Sequence, residues 1–296
     1  MTDPAWGGLY PVLVTPFDAA GAVDEASLRR VVRFALDRGA TGLTALGVMG
    51  EAAHLDEDER TRVLAAVLDE VAGAVPVVTG VSAPDPAVAA ARAAAAQAGG
   101  AGAAMVLLPP ELDRASAHVA AVADAAPGLA IVLQDYPAAG HPPAPVSLLA
   151  GVAADVPAVV AVKEEEPPTA ARTVELVRLA PHVAVLGGLG GLWLNWELRA
   201  GSHGVMTGFA FPDLLARVLA AAAAGDWDEV DRVHALALPA LVWEFQPGVE
   251  LHHRKAVLAA RGVIASPRTR TPAPVPPAAA ADAARLVARL APELAG

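Results

Sequence analysis

The chain has 296 residues, 21 basic against 32 acidic side chains and a net charge of -11, with a pI near 5.1; nucleic acid and anionic membranes, which demand clustered positive charge, are excluded as partners. It contains no cysteine, so disulfides, a thiolate nucleophile and Cys-ligated metals are excluded too. The residues are 55% apolar, much of that Ala, and only 4% aromatic, which suits packed helices around one sizeable core.

The opening residues, MTDPAWGGLYPVLVTPF, lack a basic segment followed by an apolar one, so no cleaved signal is expected and the expected location is the cytoplasm. The most apolar window, residues 84–110, is interrupted by Asp85, Arg92, Gln97 and several Gly, which makes it a poor membrane span.

In chain order, short apolar runs predict strands over 8–14, 41–46, 75–80, 103–108, 130–134, 158–163, 183–187 and 203–207. Between them the spacing is helical. Residues 25–38 carry apolar side chains at 28, 31, 32, 35 and 36, and residues 57–73 follow the same period behind a start signal, Asp56 with Glu59. Eight buried strands alternating with helices predict an α/β fold, a (β/α)8 TIM barrel spanning residues 1–211. A doubly wound sheet would want G-x-G-x-x-G after an early strand, and GVMGE at 47–51 is not that. Residues 212–224, 226–241, 247–262 and 277–294 predict helices, with a Pro-rich connector at 267–277. Residues 212–296 are therefore expected as a C-terminal helical extension packed on the barrel, not as a separate domain.

Barrel enzymes work at the C-terminal ends of their strands. Those ends carry Thr15-Pro16-Phe17, Gly47-Val48-Met49-Gly50-Glu51, Gln134-Asp135-Tyr136-Pro137, Lys163, Gly187-Gly188 and Thr207-Gly208. Lys163 stands out because the other nineteen basic residues apart from Lys255 are Arg. Arg stays charged, whereas a desolvated Lys amine can become neutral and attack a carbonyl carbon.

TPF after strand 1, G-x-x-G-E after strand 2, a Tyr-Pro element after strand 5 and V-K-E ending strand 6 occur in this order and spacing in one group of proteins. On these motifs the chain, from about residue 8 to 265, resembles the dihydrodipicolinate synthase / N-acetylneuraminate lyase family. The resemblance implies that Lys163 forms a Schiff base with pyruvate or a related 2-oxo acid, that the imine itself is the electron sink so that no separate cofactor or metal is needed, and that the chain assembles as a homo-oligomer, a tetramer or dimer. It also implies that Gly47, Val48, Met49, Gly188, Met206 and Thr207 line the substrate site.

Two departures from the family pattern stand out. Its strand-2 loop usually reads G-T-T-G-E, with hydroxyls that hold a carboxylate and pass protons; here Val48 and Met49 occupy those positions. Its strand-5 element is usually Y-N-x-P-x-R; here Gln134 falls at the Tyr, Asp135 at the Asn and Ala139 at the Arg. An amide cannot titrate as a phenol does. Tyr136, two residues on and on the same side of an extended segment, is expected to take part of that polar role beside Lys163 and Gln134. Without the Arg, dihydrodipicolinate synthase activity is disfavoured, and His141 would be a weak substitute.

The remaining motifs have bland readings. The glycines at 187–191 lack a following Lys, Ser or Thr to make a phosphate cradle. Glu51 and His54 lack further metal ligands at suitable spacing, so no metal is expected. Residues 252–255, His-His-Arg-Lys, are expected on a solvated helix face or subunit contact, and Glu244, Gln246 and Glu250 approach the barrel mouth from the extension. Three functions remain open: a class I lyase or aldolase joining a 2-oxo acid and an aldehyde, a 2-oxo acid dehydratase or hydrolase using the same lysine, and a non-catalytic metabolite-binding barrel.

Overall fold

The computed structural model describes residues 6–294. Eight strands, β1 (Gly8–Pro11), β2 (Leu43–Ala45), β3 (Val77–Gly80), β4 (Ala103–Leu107), β5 (Ala130–Asp135), β6 (Val159–Glu164), β7 (Ala184–Gly187) and β8 (Gly204–Thr207), coincide with the eight predicted runs. They form one parallel sheet in the order β1-β8-β7-β6-β5-β4-β3-β2. A parallel bridge between Val12 and Thr44 joins the two ends, with Leu13 N donating to Thr44 O at 2.8 Å, and nearly closes the barrel.

Helices α1 (Glu25–Asp37), α2 (Glu57–Val71), α3 (Pro86–Gly99), α4 (Ala115–Ala125), α5 (Val146–Asp155), α6 (Thr169–Leu179) and α7 (Leu194–Arg199) alternate with the strands. The start signal at Asp56 is a reciprocal capping box: its side chain accepts from Glu59 N at 2.8 Å and its own N–H donates to Glu59 at 3.3 Å. Helix α8 (Pro212–Ala223) packs against β1, and α9 (Trp227–Glu244), α10 (Glu250–Ala260) and α11 (Ala279–Leu294) follow. Among the described residues no helix is long and apolar enough to cross a membrane.

Strand alternation creates two cores. Val77, Val106, Leu133, Val162, Val185 and Val205 face the helices, while Tyr10, Val78, Met105, Val132, Ala161, Leu186 and Met206 fill the barrel interior. Full burial of such a side chain is worth about 1.5–3 kcal/mol. The same parity puts Gln134 and Lys163 on the interior face, two residues beyond Val132 and Ala161. They are register partners across β5 and β6, set one layer above the apolar filling.

The extension is tied to the barrel by polar contacts that overturn the expectation of a solvated 252–255 cluster. His253, Arg254 and Lys255 are all buried, because α10 lies under α11 and the connector instead of facing solvent. Lys255 Nζ donates to Thr15 O at 2.7 Å, Glu51 Oε1 at 2.6 Å and Arg268 O at 2.9 Å, using all three of its donors. Glu51 Oε2 accepts from Arg270 N at 2.6 Å and Thr271 N at 2.8 Å. Glu51 is thus a structural clip for the connector. The second lysine of this Arg-dominated chain serves that clip.

Candidate active site

A small cavity of ≈ 30 Å³ opens at the C-terminal end of the barrel, lined by Val12, Gln134, Tyr136, Lys163, Glu165 and Arg254 among others. It shares Val48, Met105 and Gln134 with an adjoining cleft of ≈ 720 Å³ that also includes Gly47 and Ser82. Lys163 is 5% exposed. Its Nζ lies 3.0 Å from Glu165 Oε2, and the same oxygen accepts from Gln134 Nε2 at 2.7 Å. The other oxygen of Glu165 accepts from Leu189 N at 3.2 Å.

Glu165 is the residue that reading the strand ends missed. The strand ladder carries on past Glu164, since Glu165 N donates to Asp135 O at 3.0 Å, so the period of two that aims Lys163 inward also aims Glu165 inward. That parity was the available signal. Gly188 makes room for it: a Cβ there would stand 2.3 Å from Glu165 Oε1. Gly188 therefore shapes the site by yielding space to a carboxylate.

Glu164, of opposite parity, points outward. Its Oε1 accepts from Arg172 Nε at 2.9 Å, and Asp135 Oδ2 accepts from Arg172 Nη2 at 2.5 Å. Burial, only partly offset by the shared guanidinium, pushes Asp135 up to about 6 and Glu164 up to about 7. Beneath β7, burial pushes the carboxyl of Glu197 to about 7 as well. Three buried acids thus ring the outer side of the Lys163 strand.

Tyr136 is partly buried and lines the cavity. Burial, then the charges of Glu165 and Glu250, raise its phenol to about 12, so at neutral pH it is a proton-bearing hydrogen-bond donor and not a phenolate. His141 does not substitute for the missing Arg. Its Nε2 accepts from Tyr136 N at 3.0 Å and its Nδ1 meets Pro142 O at 2.9 Å, which engages both ring nitrogens with backbone. Ala139 is exposed.

The remaining predicted residues are placed as follows. Val48 is 50% exposed at the rim, while Met49 packs between the two cores. Thr207 lines the cavity and its Oγ1 accepts from Gly190 N at 2.8 Å. Met206 lies with the barrel filling and its side chain is not part of the cavity wall. Of the extension residues, Gln246 is exposed and its amide donates to Trp243 O, whereas Glu244 is buried and accepts from Arg254 Nε at 2.6 Å. Arg254 was legible in the sequence only as part of a basic cluster.

Such an arrangement, an amine and a carboxylate in contact within an enclosed cavity above an apolar barrel, suits condensation with a carbonyl carbon followed by proton transfer at the adjacent carbon. Comparison with known proteins gives the family. A sequence model described as "Dihydrodipicolinate synthetase family" matches residues 5–289. The chain is 34% identical to L-2-keto-3-deoxyarabonate dehydratase of Azospirillum brasilense over 92% of this chain and 90% of that protein. It is 32% identical to 4-hydroxy-tetrahydrodipicolinate synthase of Sphingopyxis alaskensis over 77% of this chain and 79% of that one. Among solved structures, dihydrodipicolinate synthase from Rhodopseudomonas palustris superposes with a TM-score of 0.91 at 30% identity, covering 98% of this chain and 99% of that chain. The geometry at the barrel mouth and these likenesses along nearly the whole length lead to one conclusion: the chain belongs to the dihydrodipicolinate synthetase family.

Proposed function

We propose that the chain is a Schiff-base-forming dehydratase of a 3-deoxy-2-oxo sugar acid, with Lys163 as nucleophile and Glu165 as the group that moves protons. The observation carrying this reading is the shared oxygen of Glu165, 3.0 Å from Lys163 Nζ and 2.7 Å from Gln134 Nε2.

Lys163 passes one proton to Glu165 and its amine adds to C2 of the 2-oxo acid; the carbonyl oxygen takes that proton back from Glu165 together with one from the nitrogen and leaves as water, giving a protonated imine that draws electrons from C3. Glu165 takes a proton from C3 to form the enamine. The enamine electrons then expel the C4 hydroxyl, which leaves as water with the proton that Glu165 had taken. Hydrolysis consumes one water, frees Lys163 and releases an unsaturated 2-oxo acid, so the net change is loss of one water. One carboxylate performs both transfers. Gln134 holds it in place, and Tyr136 donates a hydrogen bond to the departing oxygen.

This reading favours carbon–oxygen over carbon–carbon bond cleavage. A synthase in the resembling family grips a second, charged substrate with an Arg where this chain has the exposed Ala139, whereas dehydration needs no second substrate. The relative with 34% identity along 92% of the chain is named a dehydratase. Incubation with a 3-deoxy-2-oxo pentonate or hexonate, followed by borohydride and intact mass, tests both parts: an adduct on Lys163 together with loss of water from free substrate is expected. Pyruvate release from the same acid would instead assign an aldolase, and no adduct with any 2-oxo acid would leave a barrel that binds without turnover.

A further inference from the structure

We propose that Arg254 binds the C1 carboxylate of the 2-oxo acid; the assignment rests on the imine reading of Lys163. Arg254 belongs to α10, outside the strands, yet it lines the cavity that holds Lys163, Gln134 and Glu165. Its Nε donates to Glu244 Oε1 at 2.6 Å, and the other oxygen of Glu244 accepts from Ala210 N at 3.1 Å. That pair clamps the guanidinium against the segment following β8.

The Arg254 side chain is only 3% exposed, and its Nη1 is buried with no acceptor among the described residues. A buried guanidinium N–H without an acceptor forfeits a charge-assisted hydrogen bond that an incoming anion can restore. Gly208 makes room for the guanidinium itself, since a Cβ there would stand 2.5 Å from Nη1, and Gly208 lines the same cavity.

The ligand chemistry follows from bonding. In any 2-oxo acid the carboxylate is attached to the carbon that Lys163 attacks, so it settles inside this same small cavity. Among the described residues of its lining, Arg254 is the one cation besides Lys163. Val48 and Met49 offer no side-chain donor where the resemblance places hydroxyls, and both nitrogens of His141 are engaged by backbone. The guanidinium therefore supplies, from a helix of the extension, the side-chain donor that the strand-2 loop lacks beside its backbone N–H groups.

The test compares pyruvate with its uncharged methyl ester, reading for each the concentration that gives half-maximal borohydride-trapped adduct on Lys163. Wild type is expected to favour pyruvate by about 10- to 100-fold, and R254M to lose that preference while still trapping the ester. The double variant R254M/E244Q removes both buried charges and preserves the fold if the single variant does not; it is expected to behave like R254M. An unchanged preference in these variants would overturn the assignment and leave Arg254 as a brace for Glu244. Should wild type trap neither compound, the imine reading fails, and calorimetric titration with pyruvate decides the carboxylate site separately. Binding that R254M abolishes would support it; binding that R254M retains, or none to wild type, would overturn it.

Discussion

Lys163 and Glu165 meet at 3.0 Å at the end of β6, with Glu164 between them turned to the opposite side of the sheet. The last inward-facing residue of the strand and the like-facing residue just past its end thus supply an amine and a carboxylate to the same cavity. If Glu165 moves the protons, E165Q lowers kcat by about 10²- to 10⁴-fold, the range for a general acid–base residue. Borohydride trapping on Lys163 should persist in that variant, because imine formation keeps its nucleophile. Loss of trapping in a folded E165Q would move Glu165 to the condensation step.

Tyr136 holds its proton to about 12, so a role for it is that of a donor. Y136F is expected to reduce the turnover number by about 10-fold or more, with little change in the pH profile below 10. An unchanged turnover number would remove Tyr136 from the chemistry and leave it as packing for Pro137.

Glu197 is raised from 4.5 to about 7 by burial. Between those values the native state binds a proton that the unfolded chain releases, so its contribution is complete below 4.5 and is lost as pH rises through about 7. E197Q, which keeps the shape of the neutral acid, should gain in Tm relative to wild type on going from pH 5 to pH 8, by a free energy on the order of 3 kcal/mol. Parallel Tm curves for the two proteins across that interval would refute a buried, proton-holding Glu197.

Lys255 and Glu51 form a fully buried pair at 2.6 Å, both side chains at 0% exposure. K255M strands the carboxylate of Glu51 and should cost about 3–5 kcal/mol, measured by urea unfolding, whereas K255M/E51Q should recover part of that loss. Equal losses in the single and double variants would mean that the carboxylate is not the stranded group.

The barrel was legible in the residues because its signal is local. Each strand is a short apolar run, each helix a 3.6-residue period, and their alternation leaves few architectures. Lys163 was legible for the same reason, as the interior-facing residue at a strand end in a chain that otherwise writes positive charge as Arg. Glu165 was within reach of the same parity rule. It lies beyond the apolar run that ends at 163, and only its ladder contact with Asp135 O shows that the inward-facing parity continues to it.

Sequence alone determined the fold, the family likeness and the inward placement of Lys163 at its strand end, all of which follow from periodicity and motif spacing along neighbouring residues. Tertiary structure alone decided that Arg254 reaches the cavity, that Lys255 closes on Glu51 and that His141 is engaged by backbone. Lys255 and Glu51 lie 204 positions apart in the chain, and no local period encodes which turn of α10 settles over the barrel mouth. That choice is made when the extension packs and its buried charges must find partners.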